Sequence, residues 1–184
     1  MRPVADVSIS AQGGEAEVLD AVTRVCKEAP QAVGLLLSAA HAVAAIRAAR
    51  KLQCTRRFFA MSDIGASMMA MALAPGEFAG LIVSQVPPSP TSRSLPLTAA
   101  YNTLVAKAGA NPTYSGLEGF LYARVIATAI GRCTRELTRR CLSSALEASP
   151  IEVGAYPIRF SPTDHRGSGF VEMTLVTSEG RFRR

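Results

Sequence analysis

The chain opens with period-two alternation, Val4-Ala5-Asp6-Val7-Ser8-Ile9, which Gly13-Gly14 breaks before an amphipathic run from Glu15 to Glu28. Alternation at two residues reads as a half-buried strand, while Val18, Leu19, Val22, Val25 and Cys26 recur at the spacings of three and four that mark a helix. Ala29-Pro30 closes that helix, because proline lacks an N–H donor and restricts the residue before it. Val33–Leu37 is then an unbroken apolar run, as expected of a strand buried on both faces. Ser38 stands where it caps a helix over Ala39–Leu52. Arg57–Met61 follows as a strand, Ser67–Leu73 as a short helix rich in Met and Ala, and Ala79–Val86 as a further strand. This succession predicts an α/β fold, a parallel sheet with helices on both faces, right-handed crossovers, and a ligand crevice at the carboxyl ends of the strands.

From Pro87 the pattern changes. Pro87-Pro88-Ser89-Pro90-Thr91-Ser92 supports neither ladder nor helix and reads as an extended connection. Three helices are expected beyond it, over Leu97–Ala108, Ser115–Ile130 and Thr134–Ala148, the middle one with Leu117, Phe120, Leu121 and Val125 on one face. From Ile151 alternation returns, through Tyr156, Ile158 and Phe160 and again through Phe170, Met173 and Leu175. Two strands joined by Ser161–Gly167 fit it, with a last turn at Glu179-Gly180. The divisions are thus 1–86 (α/β sheet), 87–96 (proline-rich crossing), 97–150 (helices) and 151–184 (C-terminal β-hairpin segment).

With 184 residues, 48% hydrophobic and 18% charged, the chain has enough apolar content for a core, which excludes disorder as a description of the whole. Mean hydropathy is high at +0.20, yet no stretch approaches the roughly 18 to 20 apolar residues that span a bilayer. The net charge of +6 suits an anionic partner, but it is scattered over helix-like stretches such as Arg47, Arg50, Lys51, Arg56 and Arg57. Aromatics are only 6%, so a solvated basic face is the better reading than a nucleic-acid footprint, which would interleave aromatics with basic residues. The first residues carry neither a continuous apolar segment nor a small-residue cleavage site, so a cytoplasmic protein and a mature or truncated exported one both fit.

Cys26, Cys54, Cys133 and Cys141 form no CxxC pair and have no histidine at ligand spacing, so zinc is unsupported. Oxidised pairs and buried thiols both fit. Buried thiols are favoured, since each cysteine sits in an apolar helical context.

The residues support no catalytic constellation. Only His41 and His165 are available as bases, and there is no Gly-x-Ser-x-Gly elbow, no phosphate-binding glycine loop and no third metal ligand beside Asp164-His165. No enzyme, cofactor or metal is therefore expected. What remains is the crevice at the strand ends, with Ser38, Ala39 and His41 after one strand and Ser62 and Asp63 after the next. A carboxylate and a hydroxyl there suit an ammonium or amide group, and the same residues read equally well as helix caps.

The order of segments resembles the substrate-binding proteins of branched-chain amino acid and related ABC transporters, with the type I periplasmic binding protein fold. Glu28–Leu35 is similar to that family's approach to a strand, Ala45–Leu52 to its following helix, and Phe58–Ser62 and Ala79–Val86 to the next two strands. Ser115–Ala123 resembles a later helix, and Arg159–Ser168 is close to the family's hairpin. The resemblance implies one lobe of a Rossmann-like, two-lobed fold, with 1–86 as most of the second lobe, 97–150 as helices that return to the first, and a missing N-terminal half. It also implies a non-enzymatic solute-binding protein in the periplasm, handing a small polar solute such as a branched-chain amino acid to an ABC permease. Ser38, Ala39, Ser62 and Asp63 match its second-lobe ligand positions, although the residue at Ser38 is small where the family often has an aromatic. A homodimer through the face left by the missing lobe follows as an expectation. The alternative is a basic regulatory α/β domain that binds nucleic acid or a partner protein.

Overall fold

The computed structural model describes residues 2–55, 57–64, 72–74, 76–77, 79–134 and 136–183. It falls into two compact units, residues 1–85 with 172–184 and residues 86–171.

In the first unit, α1 (Glu15–Lys27) carries Glu15 and Glu17 in its first turn and Arg24 and Lys27 in its last, charges that suit the helix dipole. Glu17 Oε1 accepts the N–H of Ser10 at 2.7 Å, which fixes the preceding loop. The helix stops at Ala29, which takes a left-handed φ of 46° ahead of Pro30. Then β1 (Val33–Leu35), α2 (Ala39–Lys51) and β2 (Phe58–Met61) follow, a 3₁₀ turn spans Ser62–Ile64, and β3 is Leu81–Gln85. Alanine at 42, 45 and 49 on the buried side of α2 lets it lie close to its neighbours. The strands β1, β2 and β3 are parallel, with Leu35 opposite Ala60 and Ala60 opposite Val83. Much of the helix expected over Ser67–Leu73 lies outside the described residues.

Val4–Ile9 differs from expectation, as it forms no strand. Its period-two pattern survives in burial alone, with Ala5, Val7 and Ile9 half-buried and Asp6 and Ser8 exposed. The segment lines an apolar cleft of about 250 Å³ beside β1 without entering its ladder. Alternation sorts side chains between two environments, whereas a strand also requires a paired backbone.

The second unit starts with the proline-rich stretch, which is free of helix and strand. It is followed by α3 (Pro96–Lys107), α4 (Tyr114–Arg132) and α5 (Arg139–Glu147), then β4 (Ile151–Val153), β5 (Tyr156–Ser161) and β6 (Asp164–Gly167). Pro96 occupies the first turn of α3, where no intrahelical donor is lost, and Thr113 caps α4. The last helix begins later than expected because Thr138, rather than Thr134, caps it, its Oγ1 accepting the N–H of Cys141 at 3.1 Å. Gly154 and Ala155 both have positive φ, the geometry of a two-residue hairpin turn between β4 and β5. The core of this unit joins Leu97, Tyr101, Leu117, Leu121 and Val125 to Ile151, Val153, Tyr156 and Ile158.

The C-terminal alternation is resolved differently from expectation. The segment 161–167 is not a plain connection, since Asp164–Gly167 is β6 and folds back on β5. The next strand, β7 (Glu172–Val176), does not pair with β5 at all. It joins β3 antiparallel in the first unit, with Thr174 opposite Val83 and its hydroxyl donating to the Val83 carbonyl at 3.0 Å. After a turn at Gly180, β8 (Phe182–Arg183) completes a five-stranded sheet of order β1-β2-β3-β7-β8. Side-chain alternation marks a strand but does not name its neighbour.

The four cysteines correct the expectation of buried thiols. They form two disulfides, Cys26–Cys54 and Cys133–Cys141, with Cα separations of 5.4 and 6.0 Å. Cys26 and Cys54 meet because both lie at the C-terminal ends of the packed helices α1 and α2, a proximity invisible across 28 residues of sequence.

Candidate functional site

Because β1, β2 and β3 are parallel, their carboxyl ends share one edge of the sheet, where α/β sheets bind ligands. Leu35 and Ala60 are paired, and Ser38 and Asp63 each stand three residues beyond them. Both loops therefore leave the sheet at this one edge.

Ser38 is exposed and caps α2. Its Oγ accepts the N–H of His41 at 3.4 Å and lies 3.2 Å from His41 Nδ1. His41 Nε2 is 2.8 Å from the carbonyl of Gly13, which only accepts, so Nε2 donates there, and in the neutral ring Nδ1 accepts from the Ser38 hydroxyl. Both ring nitrogens of His41 are therefore occupied in holding the start of α2 to the loop before α1. Ala39, half-buried, is the first residue of α2, whose leading N–H groups favour negative charge.

The second loop is the 3₁₀ turn. Ile64 is buried in the core and anchors it, which leaves Ser62 half-buried and Asp63 exposed. Sequence reasoning passed over one residue of this edge. Leu36, at 78% exposed, stands just past β1, ahead of Ser38; the continuous apolar run hid it, since Val33–Leu37 read as buried throughout. The edge thus offers a helix N-terminus, a carboxylate, hydroxyls and an apolar side chain, a set suited to a small zwitterion with an aliphatic part.

His165 lies in the second unit, 72% exposed and 3.6 Å from Glu147. Among the described residues, no group of three His, Cys, Asp or Glu is arranged to hold a metal ion, and no helix is long and apolar enough to cross a membrane. Three arginines are engaged internally. Arg47 bonds Glu77 and the Ala72 carbonyl, Arg50 the carbonyls of Glu77 and Ala79, and Arg132 those of Ala145, Ser149 and Pro150.

Residues 4–181 match the family described as periplasmic binding protein. The chain belongs to that family. Solved structures agree with the assignment. An extracellular ligand-binding receptor from Verminephrobacter eiseniae ef01-2 superposes with a TM-score of 0.80 at 22% identity, over 93% of this chain and 49% of that one. A possible leucine/isoleucine/valine-binding protein from Rhodopirellula baltica SH 1 gives 0.77 at 25% identity, over 95% and 47%. A branched chain amino acid ABC transporter protein from Thermus thermophilus with bound valine gives 0.66 at 16% identity, over 88% and 46%. No curated protein matches. The fold is that of type I periplasmic binding proteins, and the chain spans about half the length of the structures it resembles.

Proposed function

We propose that this chain is a non-enzymatic solute-recognition component, forming part of a two-lobed binding protein that grips a small polar solute, an amino acid above all. In this reading Ser38, Ala39, Ser62 and Asp63 form one wall of the site, with Asp63 facing the ammonium group and Leu36 the aliphatic part. The protein works in the periplasm and hands its solute to an ABC permease, closure around the ligand being the signal. The observation that carries the proposal is that Ser38 and Asp63 each follow by three residues the paired residues Leu35 and Ala60 at the carboxyl edge of parallel strands, in a member of this family. Relatives described as binding leucine, isoleucine or valine, one with valine bound, support the choice of solute. The internal engagement of Arg47, Arg50 and Arg132 weighs against a nucleic-acid-binding role.

Calorimetric titration of a two-lobed form, this chain joined to the remaining half of the fold, against amino acids and amides tests the proposal. Binding of an aliphatic amino acid is expected, and Asp63→Ala should weaken it by roughly 10- to 100-fold through loss of a charge-assisted contact. Silence across the whole panel overturns the function, whereas unchanged affinity in Asp63→Ala removes Asp63 from the site. Self-association of the chain by itself is a further expectation, read from sedimentation across a concentration series.

A further inference from the structure

The chain passes between its two units twice, at Gln85–Val86 and at Val171–Glu172. On the side of the first unit the passages start next to each other, because Gln85 and Glu172 are partners at the end of the β3–β7 ladder. On the side of the second unit both passages reach one side chain. The Tyr156 hydroxyl donates to the carbonyl of Val86, the first residue of the outgoing passage, at 3.1 Å. Ser168 Oγ, three residues before the return at Val171, lies 3.0 Å from the same phenol oxygen. Ser168 Oγ also accepts the N–H of Phe170 at 3.1 Å.

The direction of these bonds is fixed by their inventory of protons. The Val86 carbonyl only accepts and the phenol has a single proton, so Ser168 must donate to Tyr156. The chain of donors then runs from the Phe170 amide through Ser168 and Tyr156 to Val86, from the returning passage to the outgoing one. Tyr156 is well held for such a task. It is buried in β5, and the Phe170 ring meets it edge-on at 5.9 Å between centroids. The β4–β5 turn next to it is fastened to α3 by the bond from the Leu97 N–H to the Gly154 carbonyl at 3.0 Å. Burial also pushes the phenol pKa up, which keeps the donated proton in place.

We propose that Tyr156 is the positioning residue of the two inter-unit passages: its hydroxyl clasps the outgoing and returning chain together. Motion of one unit against the other is thereby confined to the links between this clasp and the β3–β7 ladder. The value of this for solute capture rests on the two-lobed reading above, but the clasp itself is measured without any solute.

Spin labels carried on a ketone-bearing residue at exposed Lys51 and Lys107, one in each unit, leave both disulfides intact and report the distribution of inter-unit distances. Tyr156→Phe keeps the ring and loses the hydroxyl, and Ser168→Ala breaks the same relay at a half-buried site where folding is not at risk. Each is expected to make the distribution roughly twofold wider, and Ser168→Thr, which restores a hydroxyl, to return it to the wild-type width. Wild-type widths in both Tyr156→Phe and Ser168→Ala overturn the proposal. If Tyr156→Phe does not fold, Ser168→Ala decides alone. A clasp that fails this test leaves the solute reading standing, and a silent calorimetric panel leaves the clasp standing.

Discussion

Phe58 and Phe59 are neighbours in β2, yet Phe58 is 1% exposed and Phe59 41%. The contrast extends across the sheet. Leu35, Phe58, Ala60, Leu81, Val83 and Val176 share a face with the buried residues of α1 and α2, while Met61, Met173 and Leu175 stand with Phe59 on the other and are about half exposed. Composition does not separate the two faces; connectivity does. The helices on either side of β1 in the chain, α1 and α2, both pack on the covered face. A doubly wound sheet covers its second side by reversing strand order, and among the described residues the parallel strands β1, β2 and β3 show no such reversal.

The largest expected effect tests that contrast directly. Phe58→Ala should lower the unfolding free energy by about 3–5 kcal/mol, since it opens a cavity in a packed core. Phe59→Ala should cost less than about 1 kcal/mol. Urea unfolding measures both, and equal losses would mean that the second face is as closely packed as the first.

Next in size is the disulfide that ties α1 to the end of α2. Closing a loop of 28 residues, Cys26–Cys54 should contribute about 3–4 kcal/mol. Cys133–Cys141, across eight residues, should contribute about 2–3 kcal/mol. Unfolding of the two double-alanine variants checks the order. A reversed order would show that α1 and α2 hold together by packing on the covered face, without help from the bond.

Smaller again is an acid effect at the rim of the covered face. The Ala74 N–H, 2.7 Å from Glu77 Oε2, together with the Arg47 guanidinium, holds the Glu77 carboxyl below the usual carboxylate range. A carboxyl depressed in the folded state stabilises fully above its unfolded pKa, and that stability is lost as pH falls through the folded value. Glu77→Gln should therefore flatten the decline of Tm on the acid side, by less than about 1 kcal/mol for a partly solvated pair. An acid limb as steep as that of wild type would assign it to other carboxylates.

Much of this was legible in the sequence, and for identifiable reasons. The helices announced themselves by apolar spacing and, before α2, by the cap Ser38, because those signals are local. The two candidate loops could be located because strand ends are local too. What stayed hidden depended on pairing at a distance. Thr174 alternates in the same way whether it pairs with β5 or with β3, and nothing near Cys26 indicates Cys54. The clasp is of the same kind, for Tyr156 reads as one more core aromatic until Val86 and Ser168 are brought to its hydroxyl.

The smallest expected effect is the sharpest test of the uncovered face. Phe59 and Leu175 both register with Ile82 of β3, so Phe59→Lys with Leu175→Lys sets two cations on either side of it. On a closely packed surface this change would be severe, because a buried charge without a partner must be neutralised or expelled. On a face already open to water the lysine stems lie along the apolar surface with their ammonium groups solvated. The unfolding free energy should then move by no more than about 0.5 kcal/mol, while any self-association seen in sedimentation is lost to the added charge. A destabilisation comparable to that of Phe58→Ala would remove the distinction between the faces. Intact stability with unchanged self-association would instead move the contact between copies away from this sheet.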